Sequence, residues 1–236
     1  MQRLDKILSE AGVCSRRDCE RFARRGLITV NGLVVRSAAE KVSEDAQIEL
    51  DGQIVELRRR VVCIMNKPAG YITSTADETG RVVMELLPSN LLLQQVVPAG
   101  RLDKDTEGLL VFTNDGDLLH RLISPKSEVP KTYEVHYEGT LVPNAVEKAK
   151  QGITLKDGTV CKSADLTISG DGECTITIRE GMYHQVKRMI AALGGHVTYL
   201  RRIAIGKLEL GDLEPGGVRE LVEAEIEELF VNILFP

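Results

Sequence analysis

The sequence predicts an α+β protein, in which a small helix-helix-hairpin domain precedes a larger domain built on a mixed, largely antiparallel sheet. Two helical patterns and a hairpin signal occupy positions 1–36. Beyond residue 60, β-type runs outnumber helical patterns and are often joined by turns, which favours an antiparallel sheet with helices packed beside it. A chain of 236 residues is long enough for a small domain and a medium one, each with its own core.

The first domain is predicted from start and stop signals. Apolar residues at helical spacing begin at Leu4, and Gly12 provides a stop. Ser15 suits the N-cap of a second helix, which Gly26 would end. The Asn-Gly pair at 31–32 then separates two short β runs, and this pair is the strongest short hairpin signal that a sequence offers.

The second domain is predicted to begin near residue 60, after the charged segment "ELRRR", which suits a linker. We therefore expect domains at residues 1–58 and 59–236. Helices are predicted in this second domain at "RVVMELLP", "DGDLLHRLIS", "PNAVEKAKQG", "YHQVKRMIAALGG" and the acidic "VEAEIEELFVNIL". We expect the last helix to pack its apolar stripe on the domain while its charges face solvent.

Composition and charge restrict the class of protein. The longest apolar runs are too short to span a bilayer, and the charged N-terminus is unlike a signal peptide, so we expect a cytoplasmic protein without membrane association. Five scattered cysteines predict free thiols. The net charge of −5 hides an asymmetry: positions 1–36 hold eight basic and four acidic residues, whereas positions 211–236 hold one basic and seven acidic residues.

A set of arginines near the N-terminus is a candidate RNA-binding surface. On its own, such a charged helical face most often serves solubility. Arginine, however, has a planar guanidinium that grips phosphate oxygens two at a time. The candidate residues are Arg3, Arg16, Arg17, Arg21 and Arg24. The segment "RLDKILSEAGVCSRRDCERFARRGLITVNGLVV" resembles the S4 RNA-binding domain along almost its full length, and this resemblance implies contacts with RNA phosphates and duplex shape.

The acidic segment "GRLDKDTEGLLVFTNDG", residues 100–116, allows three interpretations: a solvated loop, a metal cage, or one catalytic carboxylate among bystanders. The spacing fits no calcium loop, and no paired His or Cys ligands accompany it, so we expect no metal. Asp115 is predicted as a turn residue and helix N-cap. Asp105 and Glu107 are expected to be exposed. Asp103 follows "GRL" in a loop between apolar strands, where reactive groups are commonly displayed.

Four segments in order carry a second resemblance. The segment containing Asp103, together with "NKPAGYITS", "KTYEV" and "EGMYHQVKRM", resembles the motifs of pseudouridine synthases. With the S4-like front, the similarity covers nearly the whole chain, and it is greatest for the branch that modifies a uridine of small-subunit ribosomal RNA. It implies isomerisation of uridine to pseudouridine, a reaction that needs no cofactor and no metal. Asp103 would act either as a nucleophile at C1′ or as a base at C2′ of the ribose.

The same resemblance implies further roles. Lys187 would pair with Asp103, keep it ionised and orient it, with Arg188 as the second choice for this role and otherwise an RNA contact. Tyr133 would lie against the uracil ring, and Leu200 would supply an apolar wall. Arg101 would fill the space left in the RNA by the flipped-out nucleotide. Taken without the motifs, Tyr133 is more typical of a core or sheet position, and Lys187 of a helix surface.

Two other residues of the motifs have open roles. Lys67 lies in a turn shaped by Pro68 and Gly70, and it is a candidate for phosphate contact. For His184 we favour a structural role as a helix cap over a role as a base.

The functional hypothesis is a monomeric enzyme that isomerises one uridine of 16S ribosomal RNA, best within a small-subunit assembly intermediate. One alternative is the same reaction on 23S ribosomal RNA. Another is a non-catalytic RNA-binding ribosome assembly factor, which the joint presence of Asp103, Tyr133 and Lys187 disfavours.

Overall fold

The computed structural model of the chain has two compact units, Met1–Arg59 and Arg60–Pro236. The structure describes residues 1–11, 13–43, 46–55, 60–77 and 79–230. Three predicted features lie outside the described residues: the stop signal at Gly12, the first four residues of the linker "ELRRR", 56–59, and the last four residues of the C-terminal helix, 231–234.

The first unit has two helices followed by short strands. Its elements are β1 Gln2–Arg3, α1 Leu4–Glu10, α2 Arg16–Arg25, β2 Ile28–Val30, β3 Leu33–Val35, β4 Lys41–Val42, β5 Ile48–Leu50 and β6 Gln53–Ile54. Ser15 caps α2 by accepting a hydrogen bond from the Asp18 amide at 3.2 Å, and Gly26 ends the helix with a φ of 75°. The hairpin turn has positive φ at both Asn31 and Gly32, as a type I′ turn requires. These local predictions are confirmed.

Helix α2 buries one face and exposes its arginines. Cys19 and Ala23 lie in the core of the first unit, while Arg16, Arg17 and Arg24 are exposed. Arg3 forms a two-pronged hydrogen bond with Asp5, and Arg21 pairs with Asp18 at 2.7 Å. Asp5 is buried, whereas the Arg21–Asp18 pair lies at the surface, where such pairs contribute little to stability.

The expectation that all five cysteines are free is wrong for two of them. Cys14 and Cys19 form a disulfide, because the turn between α1 and α2 brings their Cα atoms to 6.1 Å, a normal separation for such a bond. Cys63, Cys161 and Cys174 are free and buried.

The second unit alternates strands and helices. Its elements are β7 Val62–Lys67, a 3-10 turn Val83–Leu86, α3 Ser89–Leu93, β8 Val97–Pro98, β9 Glu107–Thr113, α4 Gly116–Ile123, β10 Lys131–Gly139, α5 Ala145–Gln151, β11 Asp165–Gly170, β12 Glu173–Ile178, α6 Gln185–Ala192, β13 Gly195–Ile205, β14 Leu208–Glu209, β15 Val218–Glu220 and α7 Glu223–Glu228. The pattern "RVVMELLP" therefore yields only a short 3-10 turn, because Pro88 cannot continue a helix.

The sheet of the second unit confirms the predicted α+β class with its mixed, largely antiparallel sheet. The strand order is β11-β12-β10-β13-β9-β7-β15, with β14 and β8 pairing at the sides of β13 and β9. Along this order only β13 and β9 run parallel, joined at Arg201 to Glu107 and at Arg202 to Gly108. The other neighbouring pairs are antiparallel. The loop that carries Asp103 enters β9 at this parallel junction.

Apolar clusters cover the two faces of the central sheet. One cluster includes Leu102, Tyr133 and Leu200, and the other includes Ile64, Leu109 and Ile226 of α7. Helix α7 thus packs its apolar stripe on the domain, as predicted. Within the described residues, no helix is long and apolar enough to cross a membrane.

Candidate active site

The loop before β9 is held from two sides. The Thr73 hydroxyl donates a hydrogen bond to the Leu102 carbonyl at 2.8 Å, and the Leu102 amide donates one to the Thr73 hydroxyl oxygen at 3.2 Å. A turn closes when the Thr106 amide donates to the Asp103 carbonyl at 3.1 Å. The backbone on both sides of Asp103 is therefore fixed, while its side chain remains 27% exposed.

Lys67 is the main internal brace of this loop. The side chain is completely buried at the end of β7, and its Nζ donates to the carbonyls of Thr106 at 2.7 Å, Pro68 at 3.1 Å and Lys104 at 3.3 Å. Burial lowers the pKa of Lys67 to about 8. The hypothesis that Lys67 contacts phosphate is wrong, because its ammonium group faces the interior and its donors are used by the loop.

Helix α6 brings two basic side chains to Asp103. Lys187 Nζ lies 3.4 Å from Asp103 Oδ2, and His184 Nε2 lies 3.5 Å from Asp103 Oδ1. Lys187 lies in the first turn of α6, and His184 immediately precedes the helix. The predicted proximity of Lys187 and Asp103 is present, and the carboxylate has a basic group facing each of its oxygens.

Asp105 is a second partner of Lys187. Its Oδ1 accepts a hydrogen bond from Lys187 Nζ at 2.6 Å, although the Asp105 side chain is 74% exposed. Partial burial disfavours the charged form of Asp105, but the hydrogen bond and charge of Lys187 outweigh it, so the pKa of Asp105 is lowered. The sequence-based expectation of exposure is correct for Asp105 and wrong for Glu107, which is half-buried and accepts a hydrogen bond from the Tyr199 hydroxyl at 3.1 Å.

His184 stands at the predicted N-cap position, but its side chain does not cap the helix. His184 precedes the first residue of α6, but its side chain makes no capping hydrogen bond. The Gln185 side chain instead accepts from the Met182 amide at 3.0 Å. His184 has a positive φ of 48°, and its ring is directed toward Asp103 and stacked on Tyr183, with ring centroids 3.8 Å apart.

Tyr133 is fixed by a residue that the sequence reasoning missed. Tyr133 on β10 is only 7% exposed, and its hydroxyl accepts a hydrogen bond from Arg202 Nη1 at 3.4 Å. Arg202 on β13 is buried, and its Nε donates to the Leu109 carbonyl at 2.7 Å. Arg202 Nη2 is buried without a hydrogen-bond partner. The arginine pair in "LRR" was the available signal, but only strand register decides which of the two points inward.

The remaining candidate residues lie at defined positions of this domain. Leu200 is buried on β13 opposite Val135. Arg101 is exposed, two residues before Asp103. Arg188 pairs with Asp157 at 2.5 Å and donates to the Tyr183 carbonyl at 3.3 Å.

The chemistry of the site is that of a carboxylate between a lysine ammonium and a histidine ring. Asp103 is accessible to a ligand, and its orientation is fixed by loop hydrogen bonds and by two basic side chains. A carboxylate in this setting can attack an electrophilic carbon or accept a proton. Among the described residues, no group of three His, Cys, Asp or Glu side chains is placed to hold a metal ion.

Comparison with known proteins identifies similar chains of the same organisation. Residues 61–192 match the family described as RNA pseudouridylate synthase, and residues 2–48 match the S4 domain. The ribosomal large subunit pseudouridine synthase B of Bacillus subtilis is 37% identical, over 97% of this chain and 96% of that protein. The ribosomal small subunit pseudouridine synthase A of Vibrio vulnificus is also 37% identical, over 97% of this chain and 99% of that protein. A crystal structure of a pseudouridylate synthase aligns with a TM-score of 0.69 at 34% identity, covering 97% of this chain and 100% of the other.

Proposed function

This chain belongs to the RNA pseudouridine synthase family and carries an S4 domain, and we propose that it isomerises one uridine of 16S ribosomal RNA. The observation that carries the proposal is the Asp103 carboxylate between Lys187 and His184, in an exposed loop fixed by Lys67 and Thr73. The choice of the small subunit rests on the similarity of "EGMYHQVKRM" and "PGGVRELVEAEI" to the small-subunit branch. The relative named for the large subunit has the same sequence identity to this chain, 37%, so modification of 23S RNA is the alternative.

In the proposed reaction, Asp103 acts on the ribose of the target uridine. The carboxylate either attacks C1′ or removes a proton at C2′, and the bond from C1′ to N1 of uracil breaks. Uracil then turns, and its C5 bonds to C1′; in the first route this displaces the Asp103 carboxylate from C1′, and in the second C2′ takes back the proton that Asp103 had removed. Finally C5 loses its proton and N1 gains one. The product is an isomer of the substrate, so no cofactor is needed. The protein has to position the uridine, stabilise the intermediate and shield the site from water.

The surrounding side chains divide these tasks. Lys187 orients Asp103 through the 3.4 Å contact, and Asp105 competes for the same ammonium. Tyr133 faces the uracil ring, with its phenol held by Arg202. Leu200 supplies an apolar wall of the base pocket.

The RNA is held by basic side chains. Arg101 occupies the space left by the flipped nucleotide, which offsets part of the few kcal/mol lost on unstacking. Arg188 exchanges Asp157 for a phosphate when RNA is bound. Arg3, Arg16, Arg17, Arg21 and Arg24 of the S4 domain contact phosphates of structured RNA. We place the enzyme in the cytoplasm as a monomer that acts on a small-subunit assembly intermediate.

The deciding experiment presents three substrates to the purified protein. Naked 16S RNA, naked 23S RNA and a small-subunit assembly intermediate are incubated with wild type and with Asp103→Asn, and pseudouridines are mapped chemically. We expect one modified uridine in 16S RNA, more in the intermediate than in naked RNA, and none with Asp103→Asn. Modification of 23S RNA alone would move the target to the large subunit. Tight binding without modification of any RNA would favour an assembly factor.

A further inference from the structure

An exposed aromatic pair adjoins the candidate catalytic carboxylate. The rings of Tyr183 and His184 are stacked with their centroids 3.8 Å apart and their planes tilted by only 19°. His184 Nε2 is in turn 3.5 Å from Asp103 Oδ1. Asp103, His184 and Tyr183 are therefore in contact one after the other, from the carboxylate to the surface of the domain.

The outer face of Tyr183 is open. The residue is 71% exposed although His184 covers one side of the ring, so the second face must be accessible to solvent. The backbone at this position is fixed, because Arg188 donates to the Tyr183 carbonyl at 3.3 Å and Gln185 binds the Met182 amide at 3.0 Å. An aromatic ring held in one orientation with a free face loses little entropy when a second ring stacks on it.

We propose that the Tyr183 and His184 pair is a stacking platform for the base of a nucleotide adjacent to the target uridine. This inference rests on the proposed function, because it needs an RNA positioned with its uridine at Asp103. A base on the outer face of Tyr183 lies one further stacking distance, about 3.4 Å, beyond the tyrosine ring. That distance is within reach of a neighbouring nucleotide once the target base has been turned out of the RNA stack.

The chemistry favours a nucleobase as the occupant. Every base has a π face, so an open aromatic ring accepts it without a matching hydrogen-bond pattern. Arg188 projects from the first turn of the helix that follows the pair, and it offers positive charge to a phosphate beside such a base when it exchanges Asp157 for that phosphate. The platform would hold the RNA beside the site without taking part in bond breaking.

The test separates binding from chemistry with three variants. Tyr183→Phe keeps the ring, Tyr183→Leu keeps apolar bulk without a π face, and Tyr183→Ala removes both. On an RNA that wild type modifies, we expect KM to rise by about 5- to 150-fold for the Leu and Ala variants, the range that loss of one base stack produces. We expect kcat within about twofold of wild type in all three, because binding lost equally in the ground and transition states leaves kcat unchanged. The Phe variant should keep both constants near wild type.

A second readout detects the stack directly. The same RNA is prepared with 2-aminopurine replacing the base on the 5′ or the 3′ side of the target uridine. Binding of wild type should quench the fluorescence at one of these two positions through stacking, and Tyr183→Leu should restore it. Melting temperatures should be unchanged, since the removed ring is exposed.

The outcomes distinguish the platform from the function on which it rests. Normal turnover by wild type with an unchanged KM in Tyr183→Leu would overturn the platform alone, and so would a fall in kcat at constant KM. Quenching that persists in Tyr183→Leu would also overturn it. Absence of turnover by wild type on every RNA would overturn the proposed function and the platform together.

Discussion

The two aspartates that share Lys187 give the sharpest test of the active-site assignment. Asp103 and Asp105 lie in the same loop, both contact Lys187 Nζ, and each can be changed to the isosteric but neutral Asn. If Asp103 performs the chemistry and Asp105 only competes for the lysine, the two substitutions should differ greatly. Distance alone would suggest the opposite order, because the lysine is 2.6 Å from Asp105 and 3.4 Å from Asp103.

The different solvent exposure of the two aspartates reverses the order that distance suggests. At equal dielectric the attraction of Lys187 for Asp105 would be about 1.3 times its attraction for Asp103. The Asp105 side chain is 74% exposed, however, whereas the Asp103 side chain is 27% exposed. Solvent screening limits an exposed pair to at most about 1 kcal/mol, so Asp105→Asn should change kcat/KM by no more than about fivefold. Loss of the reacting carboxylate should reduce turnover by at least about 10²- to 10⁴-fold.

The assay is release of tritium from C5-labelled uridine in RNA, with RNA affinity measured in parallel. Removal of a negative charge cannot weaken attraction to phosphates, so both variants should bind RNA at least as well as wild type. Matching melting temperatures would exclude misfolding as the cause of lost activity. The reasoning is refuted if Asp105→Asn is as inactive as Asp103→Asn, or if Asp103→Asn turns over near the wild-type rate.

Three further predictions concern the S4 domain, the buried lysine and the parallel strand junction. Deletion of residues 1–59 should leave a folded second unit whose RNA binding is weaker and less dependent on salt, because fewer phosphate contacts release fewer counterions; an unchanged salt slope in a titration would contradict this. The pKa of Lys67 is about 8 in the folded protein and 10.5 ordinarily, so above pH 8 the unfolded chain holds more protons at this group. The free energy of unfolding of wild type should therefore rise relative to that of Lys67→Met by about 2 to 3 kcal/mol between pH 7.5 and 10, and parallel urea curves at both pH values check this. Gly108→Ala should cost at least about 2 kcal/mol, because φ is +101° and the new Cβ would overlap the backbone carbonyl oxygen of Arg202. Gly116→Ala, at the first residue of α4 with open space around it, is the matched control, and equal melting temperatures for the two variants would contradict the prediction.

The sequence by itself determined the features that depend on residues close along the chain. The Ser15 cap, the stop at Gly26 and the turn at 31–32 were predicted because each is set by the steric and hydrogen-bonding properties of a few neighbouring residues. The proximity of Lys187 to Asp103 was predicted from four motifs in a fixed order, and the α+β class from the proportion of β runs.

The tertiary structure decided which distant groups meet. The burial of Lys67 depends on carbonyls 37 and 39 residues further along the chain, and the contact of Lys187 with Asp105 spans 82 residues. The inward direction of Arg202 follows from the register of β13 against β10, and a shift of one residue would place Arg201 there instead. The direction of the His184 ring toward Asp103 likewise needed the packed position of α6. A pattern of residue types contains no information on such register and packing, because these are fixed only when the sheet and its helices bury their apolar faces together.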